Sequence, residues 1–157
     1  MEGAARRVVH GLKYRGVREL APLMAAAMAP LGQRVPFDGA LAIPLHRSRL
    51  RDRGFNQAEL LLENLGWQPC EGRLIRHKKT ETQVGMHEHE RRRNVDDAFA
   101  YEGPRLDGRS LALVDDVITT GSTAVECGRV LREHGARHVY IFAYTRANFR
   151  PGSRPDD

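Results

Sequence analysis

The chain has 157 residues, enough for one domain with its own core, and its 41% hydrophobic and 29% charged content is ordinary for a globular protein. Lys and Arg number 25 against 20 Asp and Glu, a net charge of +5; the cations are nearly all Arg, which suits phosphate-bearing partners, either small anions or nucleic acid. No apolar run reaches the 18 or so residues of a membrane span, residues 1–10 lack the apolar segment of a signal peptide, and two isolated cysteines make neither a disulfide framework nor a zinc site, so a cytoplasmic protein is expected.

Residues 2–14 have helical spacing, with Ala4, Ala5, Val8, Val9 and Leu12 on one face and Arg6, Arg7 and Lys13 elsewhere. Gly16 breaks the run. A second helix is expected over 17–29, with Val17, Leu20, Ala21, Met24 and Met28 as its stripe and Pro30 and Gly32 as its stop. Residues 39–45 read as a short buried strand with Pro44 at its end.

The next stretch, His46-Arg47-Ser48-Arg49-Leu50-Arg51-Asp52-Arg53, reads as a cationic loop between a strand and a helix. Asn56-Gln57-Ala58-Glu59 then has capping-box spacing and opens a helix with Phe55, Ala58, Leu61, Leu62 and Leu65 as its stripe. Residues 72–76 suggest a short strand. Residues 78–94 are too polar for a core and have no periodicity of their own, which points to a lid or a disordered loop. That stretch contains Lys78, the run Arg91-Arg92-Arg93, and His87 and His89, whose spacing does not suit a metal site on a helix. Residues 98–101 read as an edge strand.

Leu111-Ala112-Leu113-Val114 reads as a parallel strand covered on both faces, ending at Asp115 and Asp116. Val117-Ile118-Thr119-Thr120-Gly121-Ser122-Thr123 follows, and Thr123 to Glu126 again has capping-box spacing. The unpaired N–H groups of a helix start, flanked by hydroxyls and a glycine, can wrap a phosphate. The carboxylates next to them suit a polyhydroxylated group and a divalent metal. A phosphate, a diol and a metal in one loop indicate a sugar phosphate, placed beyond the carboxyl end of a strand. The helix that follows packs Ala124, Cys127, Val130 and Leu131 and stops at Gly135. Residues 138–144 form the last expected strand. We therefore expect an α/β fold with a mostly parallel central sheet flanked by helices, one domain over residues 1–147, and a frayed or disordered tail over 148–157.

The Leu111–Thr123 stretch resembles the signature of type I phosphoribosyltransferases. Three blocks together resemble the ComF/GntX-like branch of that family: Pro44 to Gln57, Thr80-Glu-Thr-Gln83 through Arg91-Arg-Arg-Asn94, and Asp115 to Thr123. The resemblance covers about residues 8–146. Members often begin with a cysteine-rich, zinc-binding segment. This chain is expected to start beyond it, as a short form or a trimmed piece, and to bind no zinc.

The resemblance implies a protein that binds phosphoribosyl pyrophosphate (PRPP) and transfers its phosphoribosyl group to an acceptor, with Mg²⁺ and release of pyrophosphate. Asp115 and Asp116 would hold the ribose hydroxyls, directly or through Mg²⁺, and residues Thr119 to Thr123 would cradle the 5′-phosphate, with Val117 and Ile118 also expected to bind substrate. Arg47, Arg51 and Arg53 are candidates for the pyrophosphate, and His46, Lys78 and Arg91 are further substrate-binding candidates. The Arg91-Arg92-Arg93 run suits pyrophosphate, nucleic acid or a helix cap, and the polar 78–94 segment would close over the site. No stretch identifies the acceptor. The alternative is a competence-associated protein without catalytic activity that binds single-stranded DNA or senses PRPP. The +5 charge and the Arg runs favour DNA, whereas the shortage of aromatic residues among those runs counts against it. Many enzymes of the family are dimers, so a homodimer is among the expected partners.

Overall fold

The computed structural model describes residues 3–77 and 98–147. Helix α1 (Ala4–Arg15) buries Val9 and Leu12 and ends at Gly16 in the left-handed conformation. Lys13 and Arg15 lie in its last turn, where cations favour the helix dipole. Helix α2 (Leu20–Met28) buries Ala21, Met24, Ala25 and Met28. The chain then tightens into a 3-10 helix (Ala29–Arg34) instead of stopping at Pro30. Pro30 sits in the first turn of that helix, where its missing N–H is not needed.

Strand β1 (Gly39–Ala42) is followed by a helix where a loop was expected, α3 (Arg47–Arg53). Gly54 ends α3, and Asn56 caps α4 (Gln57–Leu65) as its spacing predicted. Strands β2 (Arg73–Arg76) and β3 (Phe99–Glu102) pair antiparallel as a ribbon of their own. The 98–101 stretch is thus a ribbon strand and does not border the main sheet. Strand β4 (Ser110–Ile118), helix α5 (Ser122–Glu133) and strand β5 (His138–Arg146) complete the fold.

The central sheet has the order β1-β4-β5 and both of its pairings are parallel. Alternate side chains of a strand face opposite ways, and β4 shows the result. Leu111 and Leu113 enter a core made with α5 and the β2–β3 ribbon, which includes Cys127, Val130, Leu131, Phe99 and Tyr101. Ala112 and Val114 enter a second core made with α1, α2 and α4, which includes Leu12, Met24, Leu61 and Leu65. Both faces of β4 are therefore covered, and an unbroken apolar run is what such a strand requires. The strand does not end at the carboxylates as expected. It runs on through them because Asp115, Val117 and Ile118 continue the register with Ala143, Thr145 and Arg146 of β5. No helix among the described residues is long and apolar enough to cross a membrane.

Candidate active site

A cavity of about 590 Å³ opens beyond the carboxyl ends of β1 and β4. Its walls come from the end of α1 (Lys13, Tyr14), the chain after β1 (Ile43 to Leu45), α3 (Arg49, Asp52, Arg53), the start of α4 (Asn56 to Ala58), Arg76 of β2, and Asp115, Asp116, Val117, Thr119 and Thr123.

The alternation that splits the core also separates the two acidic residues. Asp116 follows Ala112 and Val114 towards α1, where the Lys13 ammonium lies 2.8 Å from its Oδ2. Both side chains are largely enclosed, at 21% and 5% exposure. Asp115 follows Leu111 and Leu113 to the other face, and its Oδ1 accepts a hydrogen bond of 2.8 Å from the Asp116 N–H. Burial, together with the charge of Asp116, pushes the Asp115 carboxyl up to about 7. Burial also raises the Cys127 thiol above its ordinary value.

The turn from β4 to α5 has Gly121 at φ 80 as the residue before the helix. That left-handed value suits glycine and swings the chain from strand to helix axis. The expected capping box does not form: no side chain caps α5, and Glu126 is engaged with Arg129, at 2.6 Å between Oε1 and Nη2. The Ser122 N–H reaches only the Thr120 hydroxyl, at 3.4 Å. No acidic residue lies in the first turn of α5, so its partial positive charge faces outward uncancelled.

The cationic wall is set by helical geometry. Arg49 and Arg53 are four residues apart on α3 and both line the cavity, whereas Arg47 and Arg51 do not. His46 caps α3, its Nδ1 accepting from the Ser48 N–H at 3.2 Å, and does not line the cavity. The Arg53 guanidinium lies 5.7 Å from the centre of the Tyr14 ring, and that of Arg76 lies 5.2 Å from the centre of the Phe99 ring. Burial lowers the pKa of both guanidinium groups. Asn56 fixes this wall to the sheet. Its Nδ2 donates to the Ile43 carbonyl at 3.1 Å, and its Oδ1 accepts from the Ala58 N–H at 3.1 Å.

Of the residues singled out in the sequence, Asp115, Asp116, Val117, Thr119, Thr123 and Arg53 meet at this cavity. Ile118 faces a different hollow, shared with Leu31, Val35 and Tyr144. Thr120, Gly121 and Ser122 form the turn without lining the cavity. Lys78 and Arg91, the 78–94 segment and the 148–157 tail lie outside the described residues. Sequence reasoning missed Lys13, Tyr14, Arg49, Gln57 and Arg76. A helical reading of residues 47–53 would have separated Arg49 and Arg53 from Arg47 and Arg51. Lys13 and Tyr14 lie in the Leu12-Lys-Tyr-Arg-Gly16 stretch, which resembles the helix-to-helix turn of the same family without assigning either a role, and nothing local marks Arg76.

No family model matches the chain. It is 34% identical over 151 residues to the DNA utilization protein YhgH of Escherichia coli O157:H7, a match over 88% of this chain and 66% of that protein. It is 37% identical over 116 residues to competence protein F of Haemophilus influenzae, over 70% of this chain and 51% of that protein. The chain thus spans just under two thirds of the YhgH relative and about half of competence protein F. Among solved structures it is similar to a purine phosphoribosyltransferase from Pyrococcus horikoshii, with a TM-score of 0.50, 18% identity and coverage of 87% of this chain and 79% of that one. At that identity the likeness concerns the fold.

Proposed function

From its membership of the ComF-like branch of the type I phosphoribosyltransferase family, to which the chain belongs, we propose that it binds PRPP and transfers the phosphoribosyl group to an acceptor. The observation that carries this reading is the meeting, in one cavity, of two adjacent carboxylates, the hydroxyl residues Thr119 and Thr123 flanking the helix start, and three guanidinium groups. Carboxylates accept hydrogen bonds from a diol, and the N–H groups and hydroxyls of residues 119–123 suit a phosphate. The second, more highly charged phosphate group of PRPP suits Arg49, Arg53 and Arg76, which line the same cavity.

In this reading Asp115 and Asp116 grip the ribose hydroxyls and the start of α5 holds the 5′-phosphate. The bond from C1 to the pyrophosphate oxygen breaks, its electron pair leaving with pyrophosphate, while the acceptor's nucleophile forms the new bond to C1. Charge builds on the ring as in glycoside cleavage, and the fixed Asp carboxylates and guanidinium groups act by position and electrostatics. Mg²⁺, where bound, would be carried by the pyrophosphate of the ligand and would ease its departure. The acidic pair does not suit a metal held directly by the protein, because the Lys13 ammonium already occupies Asp116. Among the described residues no group of three His, Cys, Asp or Glu side chains is placed to hold a metal ion.

The test is calorimetric titration with PRPP, with and without Mg²⁺, on wild type and Asp115→Asn. Micromolar binding lost in the variant supports the reading, and no binding by wild type in either condition refutes it. A second reading is favoured by the names of the relatives and by Arg6, Arg7, His10 and Arg15, which together line a hollow on α1. In that reading this surface binds single-stranded DNA. Its affinity would fall steeply with salt, and substituting Arg6 and Arg7 would weaken it without changing PRPP binding.

A further inference from the structure

We propose that Lys13 is a positioning residue that takes the place of a divalent metal on the ribose side of the cavity, so that only the pyrophosphate requires Mg²⁺. The inference rests on the PRPP reading and names what that reading leaves open, namely how two adjacent, largely enclosed carboxylates are held ready for a diol.

The geometry points to Lys13 in three ways. Its ammonium lies 2.8 Å from Asp116 Oδ2, an ion-pair contact without hydrogen-bond alignment, and among the described residues this buried oxygen has no hydrogen-bond partner. A magnesium ion sits about 2.0–2.1 Å from its oxygen ligands, so an ion on the same oxygen would lie against the ammonium and be repelled by it. Second, the ammonium is anchored. Val9 and Leu12 of α1 are buried in the core beneath it, and Lys13 itself is one-fifth exposed. Third, the pair is arranged to leave acceptors for a ligand. The Lys13 ammonium offsets the charge of Asp116 at Oδ2, which has no hydrogen-bond partner among the described residues, and the Asp116 N–H fixes Oδ1 of Asp115, so the pair keeps acceptor capacity for a diol. Arg53 adds positive charge on the same side, within electrostatic reach of Asp116.

Ribose 5-phosphate separates the two sides, because it has the diol and the 5′-phosphate and lacks the pyrophosphate. Its binding is measured by calorimetry in EDTA and in excess Mg²⁺, beside PRPP, on wild type, Lys13→Met and Lys13→Arg. Wild type is expected to bind ribose 5-phosphate equally in both conditions while its PRPP binding depends on Mg²⁺. Lys13→Met should bind ribose 5-phosphate at least about tenfold more weakly in EDTA, since a buried carboxylate loses its counter-charge, and should regain affinity with Mg²⁺. Lys13→Arg should bind in EDTA within a few-fold of wild type.

A merely structural ion pair would lower the urea midpoint of Lys13→Met and leave the metal profile unchanged, and that result overturns the inference. Wild type that binds PRPP but takes ribose 5-phosphate only with Mg²⁺, or not at all, overturns it while the PRPP reading stands. This comparison needs no variant to fold. Wild type that binds neither ligand refutes both.

Discussion

Asn56→Ala should destabilise the protein by roughly 2–3 kcal/mol. The side chain makes two buried hydrogen bonds and is itself 5% exposed. Losing a helix cap costs about 1 kcal/mol. Losing the bond to the Ile43 carbonyl costs about another 1, and leaving buried partners unsatisfied adds to the sum. For a chain of this length about 1 kcal/mol moves Tm by roughly 2–4 °C, so a fall of about 5–10 °C is expected. Asn56→Asp separates the two bonds. An aspartate still accepts from the Ala58 N–H but presents an oxygen to the Ile43 carbonyl, so it should keep the cap and lose the tie. Urea denaturation followed by far-UV circular dichroism measures both. The Ile43 N–H pairs with the Val114 carbonyl at 2.9 Å, so the tie also sets the distance between α4 and β4. Asn56→Asp should therefore weaken PRPP binding even where it spares helix content. An Asn56→Ala loss under about 0.5 kcal/mol, or an Asn56→Asp variant as stable as wild type, would refute the reasoning.

Arg53→Ala should weaken PRPP binding by tenfold or more, on the order of one charge-assisted contact. Arg47→Ala and Arg51→Ala should change it little, and calorimetry on the three variants checks the helical phase of α3. The Asp115 carboxyl is raised to about 7 in the fold, so it binds its proton more tightly there than in the unfolded chain. Its contribution to stability is complete near pH 4 and is lost as pH rises through about 7. Thermal melts from pH 5 to 8 should show a decline that is smaller in Asp115→Asn. Cys70 and Cys127 are free and buried, so neither should react with an aromatic disulfide reagent until urea unfolds the protein; rapid labelling of the native state would contradict their placement. Gly121→Ala should cost about 1 kcal/mol or more, because the left-handed backbone there is strained for any side chain.

Elements with an apolar rhythm were legible in the sequence. The stripe of α4, the unbroken run of β4 and the packed face of α5 all declare themselves, because burial selects the residues that reveal it. Helix α3 did not, for the converse reason. It buries no residue, so Arg-Ser-Arg-Leu-Arg-Asp-Arg shows no stripe, and its stability comes from His46 and Gly54 at its ends. The length of β4 was misjudged because its polar end is held by pairing with β5, a partner that local pattern does not show. The capping box at Thr123 had the right spacing, yet Gly121 begins the helix and Arg129 takes the glutamate. Asp115 and Asp116 were visible as a pair. That they face opposite layers follows from strand alternation, but only once the strand is known to continue through them. Lys13 could not be assigned from sequence, since its partner lies far along the chain.

That opposite facing has a consequence for motion. Each carboxylate follows a different face of β4, Asp115 the face of Leu111 and Leu113, which pack with α5 and the ribbon, and Asp116 the face of Ala112 and Val114, which pack with α1, α2 and α4. A ligand gripping both would tie the two layers together across the strand. Opening either layer would then require release of the ligand, so the two should unfold as one cooperative unit in the bound state and as separate units without it. Amide hydrogen exchange would register this as protection spreading along the backbones of α1 and α5 together, beyond the residues that line the cavity.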